Sequence, residues 1–408
     1  MLLLPEWRNW YTRATQNRVS QGLEVQVLSP AQMNNNLSYI EISKENLIHN
    51  IKQFRSLIKG KTKVAAVIKA NAYGHGDKEV AKIIAQYVDY FQVDSIEEAE
   101  RVRSASKKPV LIFGYTNEDG IKRALKIDAI LAGFDFVHLL KINHTAGILK
   151  KKIKVHLAID SYLGREGIMP SQVENIIKEL KNFKNIILDG VYSHFANIED
   201  TMNTTHANRQ IDTYHKCVEI FRANGYKNIN THISATSGIL VYEKGDNLHS
   251  IVRLGIGLYG MWPSEHLEYL NKKKINLKPV LKWATHVAQV KIIPANYPIG
   301  YGLTYITKKA TKIAVIPQGY ADGLTRSMSN HGEFLIRGKK VKILGRVAMN
   351  MTVVDVSNIK DVMPEDEVVI IGAQGKAKIR VEDLAKRIDT INYEVTTKIS
   401  SLLSRVIV

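Results

Sequence analysis

Five polar residues stand where apolar runs of strand length stop. Lys69 closes the run at 64–69 and opens Lys-Ala-Asn-Ala-Tyr-Gly-His-Gly (69–76). Arg165, in Gly-Arg-Glu-Gly, follows the run at 154–159, and His194, in Tyr-Ser-His-Phe, ends the run at 186–193. Ser234, in His-Ile-Ser-Ala-Thr-Ser, ends the run at 229–233, and Arg253 ends the one at 251–254. Taken singly, each has an ordinary explanation: a snorkelling lysine, a satisfied buried histidine, a helix-capping serine, an ion-paired arginine. Their shared position at strand ends makes a joint chemical role the better reading. The small residues and two glycines after Lys69 suit a loop pressed against a ligand.

Gly255-Ile256-Gly257-Leu258-Tyr259-Gly260 fits the G-x-G-x-x-G pattern. No acidic residue stands about 20 positions on to hold a ribose, so a dinucleotide is disfavoured. Placed after a late strand, Ser234, Gly255 and Ile256 read instead as a phosphate cup, built from a hydroxyl and backbone N–H groups. A strand-end lysine facing a phosphate cup suggests a pyridoxal phosphate Schiff base. Arg253 then sits near the pyridine ring, where a cation disfavours protonation of the ring nitrogen. The weaker electron sink suits brief removal of a proton.

These residues need a scaffold. From Val64, strand-length runs at 64–69, 90–93, 109–113, 128–131, 154–159, 186–193, 229–233 and 251–254 alternate with amphipathic stretches such as Asp77–Val88, Ile96–Ala105, Ser171–Leu180 and Ala207–Asn224. Asp77 and Ser171 suit N-caps, and Glu97-Glu98 a first helical turn. Eight β-then-α units predict an α/β fold, a (β/α)8 TIM barrel over 35–275, with a doubly wound open sheet as the alternative. After about residue 275, short β-type runs (286–293, 311–316, 333–336, 341–344 and 367–371) are punctuated by Gly338, Pro364-Glu365-Asp366 and Gly372. This predicts a mostly-β C-terminal domain over 276–408, with a helix near 381–388.

Composition narrows the class. The 408 residues are 45% apolar, carry 57 Lys+Arg against 39 Asp+Glu (net +18), and include one cysteine. That excludes a disulfide framework and a thiolate metal site, and suggests a reducing, cytoplasmic compartment. The lysines are dispersed, as at 150–154 and 272–274, so nucleic acid is not an expected partner. No run reaches the ~18 apolar residues of a membrane span. Residues 1–34, with Trp7, Trp10 and Tyr11 among arginines and no packing period, read as a non-core extension, and Met33 as a possible working start.

With those residues in view, the chain over about 37–408 resembles the alanine racemases, barrel-type pyridoxal phosphate enzymes with a C-terminal β domain. The resemblance implies Lys69 as the Schiff-base lysine. It implies Tyr73, Ser234, Gly255, Ile256 and Tyr393 at the phosphate, with His194 on the ring and Arg253 at its nitrogen. It implies Tyr301, in Tyr-Gly-Leu-Thr-Tyr, as a second catalytic base supplied across a homodimer. Arg165 and the Met349 backbone N–H would hold the substrate carboxylate, and Tyr320 and Arg346 would line the entrance. The expected reaction is interconversion of L- and D-alanine, supplying peptidoglycan; a racemase of lysine, serine or arginine and a non-catalytic cofactor carrier are the alternatives. The sequence departs from many relatives at two places. Ala158 replaces a carbamylated lysine that orients the arginine matching Arg165, and Asn350 replaces an aspartate. Arg165 must be held another way, for instance by a bound chloride.

Overall fold

Burial on both faces makes the eight strands from Lys63 onward near-continuous apolar runs, as parallel strands covered by helices require. They are Lys63–Val67, Tyr90–Val93, Val110–Ile112, Ile130–Gly133, Ile153–Ala158, Ile186–Tyr192, Asn230–His232 and Ile251–Leu254. Each is parallel to its neighbour, and the eighth pairs back on the first. The seam between the seventh and eighth is bridged by Arg253 N–H to the Ser234 carbonyl (3.0 Å) and by Thr231 N–H to Ser250 Oγ (2.6 Å). The result is a nearly closed barrel. The computed structural model describes residues 36–58, 60–243 and 249–408. The extension expected at 1–34 lies outside the described residues.

Helix Ile96–Ala105 begins as its sequence predicts, with Ser95 and Glu98 forming a reciprocal capping box. Two expected caps move. Gly76 caps helix Asp77–Ile84, leaving the buried Asp77 carboxylate to Arg101 Nε at 2.7 Å. Ser171 lies inside a 3-10 turn, Pro170–Gln172, that leads into helix Val173–Leu180.

The C-terminal domain is mostly β. Its larger sheet runs, edge to edge, through Lys339–Lys342, Glu333–Ile336, Glu367–Gln374, Leu281–His286, Tyr39–Ile42 and Ser404–Ile407. Tyr39–Ile42, expected within the barrel range 35–275, thus pairs in this sheet, antiparallel to Leu281–His286 and parallel to Ser404–Ile407. Alternation shows which face a strand buries, not which neighbour it takes. The run predicted at 286–293 divides between two sheets. Val287 N–H donates to the Asp366 carbonyl and Ala288 N–H to the Val315 carbonyl, both at 2.9 Å, so the chain changes sheet there. Gly372, expected as a turn, sits inside strand Glu367–Gln374 with φ +125°. The predicted helix near 381–388 is Val381–Arg387.

Candidate active site

At the C-terminal mouth of the barrel lies a cavity of about 920 Å3, lined by Lys69, Tyr73, Arg165, His194, Arg253, Gly255, Ile256 and Tyr393 among others. Eight of the eleven residues expected from sequence to be catalytic or to bind cofactor or substrate are therefore brought together in one chain. Three are not: Ser234, Tyr301 and Met349.

Lys69 is placed by a strained turn. The first strand stops at Val67, Ile68 N–H still donates to the Gln92 carbonyl (2.9 Å), and Ala70, Asn71, Ala72 and Tyr73 then all adopt φ of 52–54°. Left-handed backbone costs ~1–2 kcal/mol per non-glycine residue, so roughly 4–8 kcal/mol is held here. What holds it is specific. Ala70 N–H donates to Glu98 Oε1 at 2.6 Å, and Asp77 N–H to Asn71 Oδ1 at 3.1 Å. Arg405, from the C-terminal strand, donates to the Gly74 carbonyl at 2.9 Å. Gly74 has φ +84° and lies so close to the Thr396 carbonyl that a β-carbon would fall 2.0 Å from its oxygen. The turn leaves Lys69 Nζ at the mouth, 3.6 Å from Asp94 Oδ1, and sends Tyr73 inward.

Tyr73 lies between Tyr259 and Tyr393, with ring centroids 5.0 and 6.0 Å away. Burial pushes its hydroxyl up to about 12 and raises that of Tyr393 as well, so both stay protonated donors. A β-carbon on Gly255 would stand 3.0 Å from the Tyr73 hydroxyl, so only glycine keeps this end of the cavity open. Ser234 does not face it. Its side chain is fully buried behind the wall, and Thr236 and Ser237 line the cavity instead. Thr236 Oγ1 accepts from Gly255 N–H (3.1 Å) and Gly257 N–H (3.3 Å). The seventh strand stops at His232, two residues ahead of Ser234, which moves the accessible hydroxyl to Thr236.

Arg253 is 2% exposed. Its Nη1 donates to His232 Nδ1 (2.7 Å) and, longer, to the His232 carbonyl (3.3 Å). Its Nη2 donates to the carbonyls of Ser193 (2.8 Å) and Ile233 (2.7 Å) and to His194 Nδ1 (3.0 Å). Among the described residues, Nε–H is the one donor of Arg253 with no acceptor. Burial lowers the guanidinium to about 10, which leaves it a cation at neutral pH. Burial first, then Arg253, lowers His194 to about 3; it is neutral and accepts from Arg253.

Arg165 is carried on the 159–168 loop, tied at its base by Asp160 N–H to the Ile168 carbonyl (3.0 Å) and Ile168 N–H to the Ala158 carbonyl (2.9 Å). The side chain that holds it is Glu166: Oε1 accepts from Arg165 Nη2 at 2.9 Å and Oε2 from Nε. Glu166 is thus the protein carboxylate that pairs with Arg165, and among the described residues Nη1 has no acceptor. Ala158 packs against Tyr192, whose buried hydroxyl has no partner among the described residues.

Tyr301 and Met349 lie on the β domain, 73% and 57% exposed, and neither lines the cavity. Tyr301 opens the short 3-10 turn Tyr301–Leu303, where Gly302 gives room to the Arg346 guanidinium; a β-carbon there would sit 2.7 Å from Nη1.

A family profile described as the alanine racemase N-terminal domain matches residues 42–263, and one described as the C-terminal domain matches 280–407. The chain belongs to the alanine racemase family. Among its relatives, the alanine racemase of Leptospira interrogans is 36% identical over 381 residues, 91% of this chain and 96% of that one. Alanine racemase 2 of Caldanaerobacter subterraneus is 37% identical, over 90% and 94%. The solved alanine racemase of Clostridium difficile 630 superposes with a TM-score of 0.85 at 32% identity, covering 91% of this chain and 96% of that chain. That of Bacillus anthracis, described with bound L-Ala-P, gives 0.85 at 28%, covering 91% and 95%. As a member of the alanine racemase family the chain is an isomerase. No helix among its described residues is long and apolar enough to cross a membrane.

The site residues missed from sequence are Thr236, Glu166, Asp94, Glu98 and the pair His156 and His232. Glu166 was legible as the neighbour of Arg165. The rest depend on where strands stop.

Proposed function

We propose that the chain interconverts L- and D-alanine with pyridoxal 5'-phosphate, using Lys69 and, from a second copy, Tyr301 as bases. One observation carries the reading: a single cavity holds a strand-end lysine, two tyrosine hydroxyls beside a glycine-opened wall, and a buried arginine with only Nε–H left to give. These features fit the cofactor. Tyr73, Tyr393, Thr236 and the Ile256 N–H would hold its phosphate, His194 its ring face, Arg253 its ring nitrogen and Lys69 its aldehyde carbon. Bound, the cofactor would acidify the Cα–H of an attached amino acid by drawing electrons toward its ring. Arg253, as a cation, keeps that draw modest, which favours returning the proton over side reactions.

The protein's part is proton handling. Inversion needs a proton removed from one face of Cα and returned to the other, which one group cannot do. Lys69 Nζ serves one face. Tyr301, exposed on the β domain and absent from its own chain's cavity, serves the other in a homodimer with shared sites. Arg165, through Nη1, and the Met349 N–H would hold the substrate carboxylate. On this reading the barrel segment and the β segment meet near residue 276. The protein works in the cytoplasm, and its D-alanine supplies peptidoglycan.

The test is racemisation by purified, cofactor-loaded protein across alanine, serine, lysine and arginine. Alanine should turn over fastest by kcat/KM. A preference for a cationic amino acid would replace the substrate assignment, and no turnover of any would remove the activity.

A further inference from the structure

Barrel interiors are ordinarily filled by branched apolar side chains, yet this one holds a continuous polar line. Asp189 Oδ2 lies 3.0 Å from His156 Nε2. His156 Nδ1 lies 2.8 Å from His232 Nε2, and His232 Nδ1 lies 2.7 Å from Arg253 Nη1. Both imidazoles are wholly buried. Asp189 is outside the cavity, part-exposed, and also near Lys154 Nζ (3.6 Å) and Asn230 Nδ2 (3.2 Å).

The two ends fix the direction of every hydrogen bond. A guanidinium can only donate, so His232 Nδ1 must accept. Neutral His232 then carries its proton on Nε2 and donates to His156 Nδ1. His156 in turn carries its proton on Nε2 and gives it to the Asp189 carboxylate, which only accepts. Burial lowers the proton affinity of both histidines, consistent with one proton on each. No other arrangement leaves all three contacts bonded. The reverse tautomer of His232 would turn an N–H on the arginine's own N–H.

The backbone is shaped for this line. The register between Ile153–Ala158 and Ile186–Tyr192 shifts between Val155 and His156, a bulge that re-aims the side chain. Opposite stands Gly190, where a β-carbon would lie 2.7 Å from the His156 ring. A glycine and a bulge at one point make room for one imidazole.

We infer that Asp189 is a positioning residue for Arg253, acting through the fixed tautomers of His156 and His232 to hold Nη1 and so aim Nε–H into the cavity. This rests on the proposed reading in placing the cofactor ring against that Nε–H. Removing Asp189 leaves the His156 Nε2–H without its carboxylate acceptor, and so loosens the support His156 gives His232, without touching any cavity-lining residue.

The experiment uses cofactor-loaded protein labelled with 15N-histidine, as wild type, Asp189→Ala and Asp189→Asn. In wild type, both His156 and His232 should show an Nε2-protonated neutral ring. Asp189→Ala should give mixed tautomers at His156 while His232, still facing the Arg253 N–H, stays Nε2-protonated, with an altered absorbance band of the bound cofactor and kcat lower by about tenfold, the scale of one charge-assisted hydrogen bond, and KM for alanine little changed. Asp189→Asn keeps an oxygen acceptor and should stay within about threefold of wild type, with wild-type tautomers. Wild-type tautomers and absorbance in folded Asp189→Ala, judged by circular dichroism, would overturn the inference. Because the tautomer and absorbance readouts need no turnover, inactivity of wild type on alanine would count against the racemase reading and not against the relay.

Discussion

The barrel mouth and the exposed edge of the β domain carry similar side chains under opposite conditions. At the mouth, Arg253 is 2% exposed with four of its five donors engaged by protein, and Tyr73 is held between two other tyrosines. On the β domain, Tyr301 is 73% exposed, and Tyr320 and Met349 are exposed as well. The first region is finished by its own chain: strain at 70–73 is paid for by Glu98, Asn71 and Arg405, and Arg253 is held by His232, His194 and the carbonyls of Ser193 and Ile233. The second is a set of exposed groups that do not line the cavity of their own chain. Preorganised polar groups are worth most where water is excluded. An exposed tyrosine gains that setting only when another surface covers it.

The comparison breaks first at Lys69. Lys69→Ala should lower racemisation by at least about 10^3-fold, the scale of losing a positioned base and the covalent attachment together. Borohydride reduction with peptide mapping should label Lys69 in the wild type; label on a different lysine would reassign the attachment.

Arg165→Lys should lower kcat/KM for alanine by about 10- to 100-fold, because a point charge cannot pair with Glu166 and a second carboxylate as a guanidinium does. The cofactor absorbance should remain near wild type. Equal loss of cofactor would move Arg165 to the cofactor's part of the cavity.

Thr236→Val should weaken cofactor binding to apoprotein by roughly tenfold, one hydroxyl's worth of hydrogen bonding, whereas Ser234→Ala should leave it within about twofold. Equilibrium titration of the two variants distinguishes them. The reverse order would restore Ser234 as the phosphate hydroxyl.

The effect furthest from the cavity chemistry is on stability in acid. Burial lowers His75 from 6.5 to about 4, so between those values the unfolded chain binds a proton that the folded chain refuses. Its contribution is fully present above pH ~6.5 and declines as pH falls toward about 4, by at most ~1.4 kcal/mol per pH unit. Urea unfolding across that window should show a shallower pH slope in His75→Gln than in wild type. Equal slopes would show that His75 titrates normally.

Much of the barrel was legible because a buried parallel strand writes its length as an apolar run and a polar residue ends it. Lys69, His194 and Arg253 were found that way. Ser234 was misplaced by the same rule: a strand two residues shorter than its apolar run turns the chain before the expected end and hands the cavity to Thr236. Tyr39–Ile42 showed its alternation but not its partners, because those partners lie more than 230 residues on. The His156–His232 line was hidden, since an interior polar residue at a strand position looks like any other inward side chain. Gly190, a glycine inside a strand, was its one visible sign. Tyr301 and Met349 came only from family resemblance, because no spacing within one chain relates them to Lys69.

The central claim is that the site is completed between two copies, and mixing inactive variants tests it most directly. Lys69→Ala and Tyr301→Phe are each expected to be inactive. If subunits are allowed to exchange, random pairing gives half heterodimers, each with one intact site and one doubly altered site, so activity should recover to about a quarter of wild type. No recovery, with heterodimers demonstrated by native mass spectrometry, would place both bases in the same chain and contradict the account.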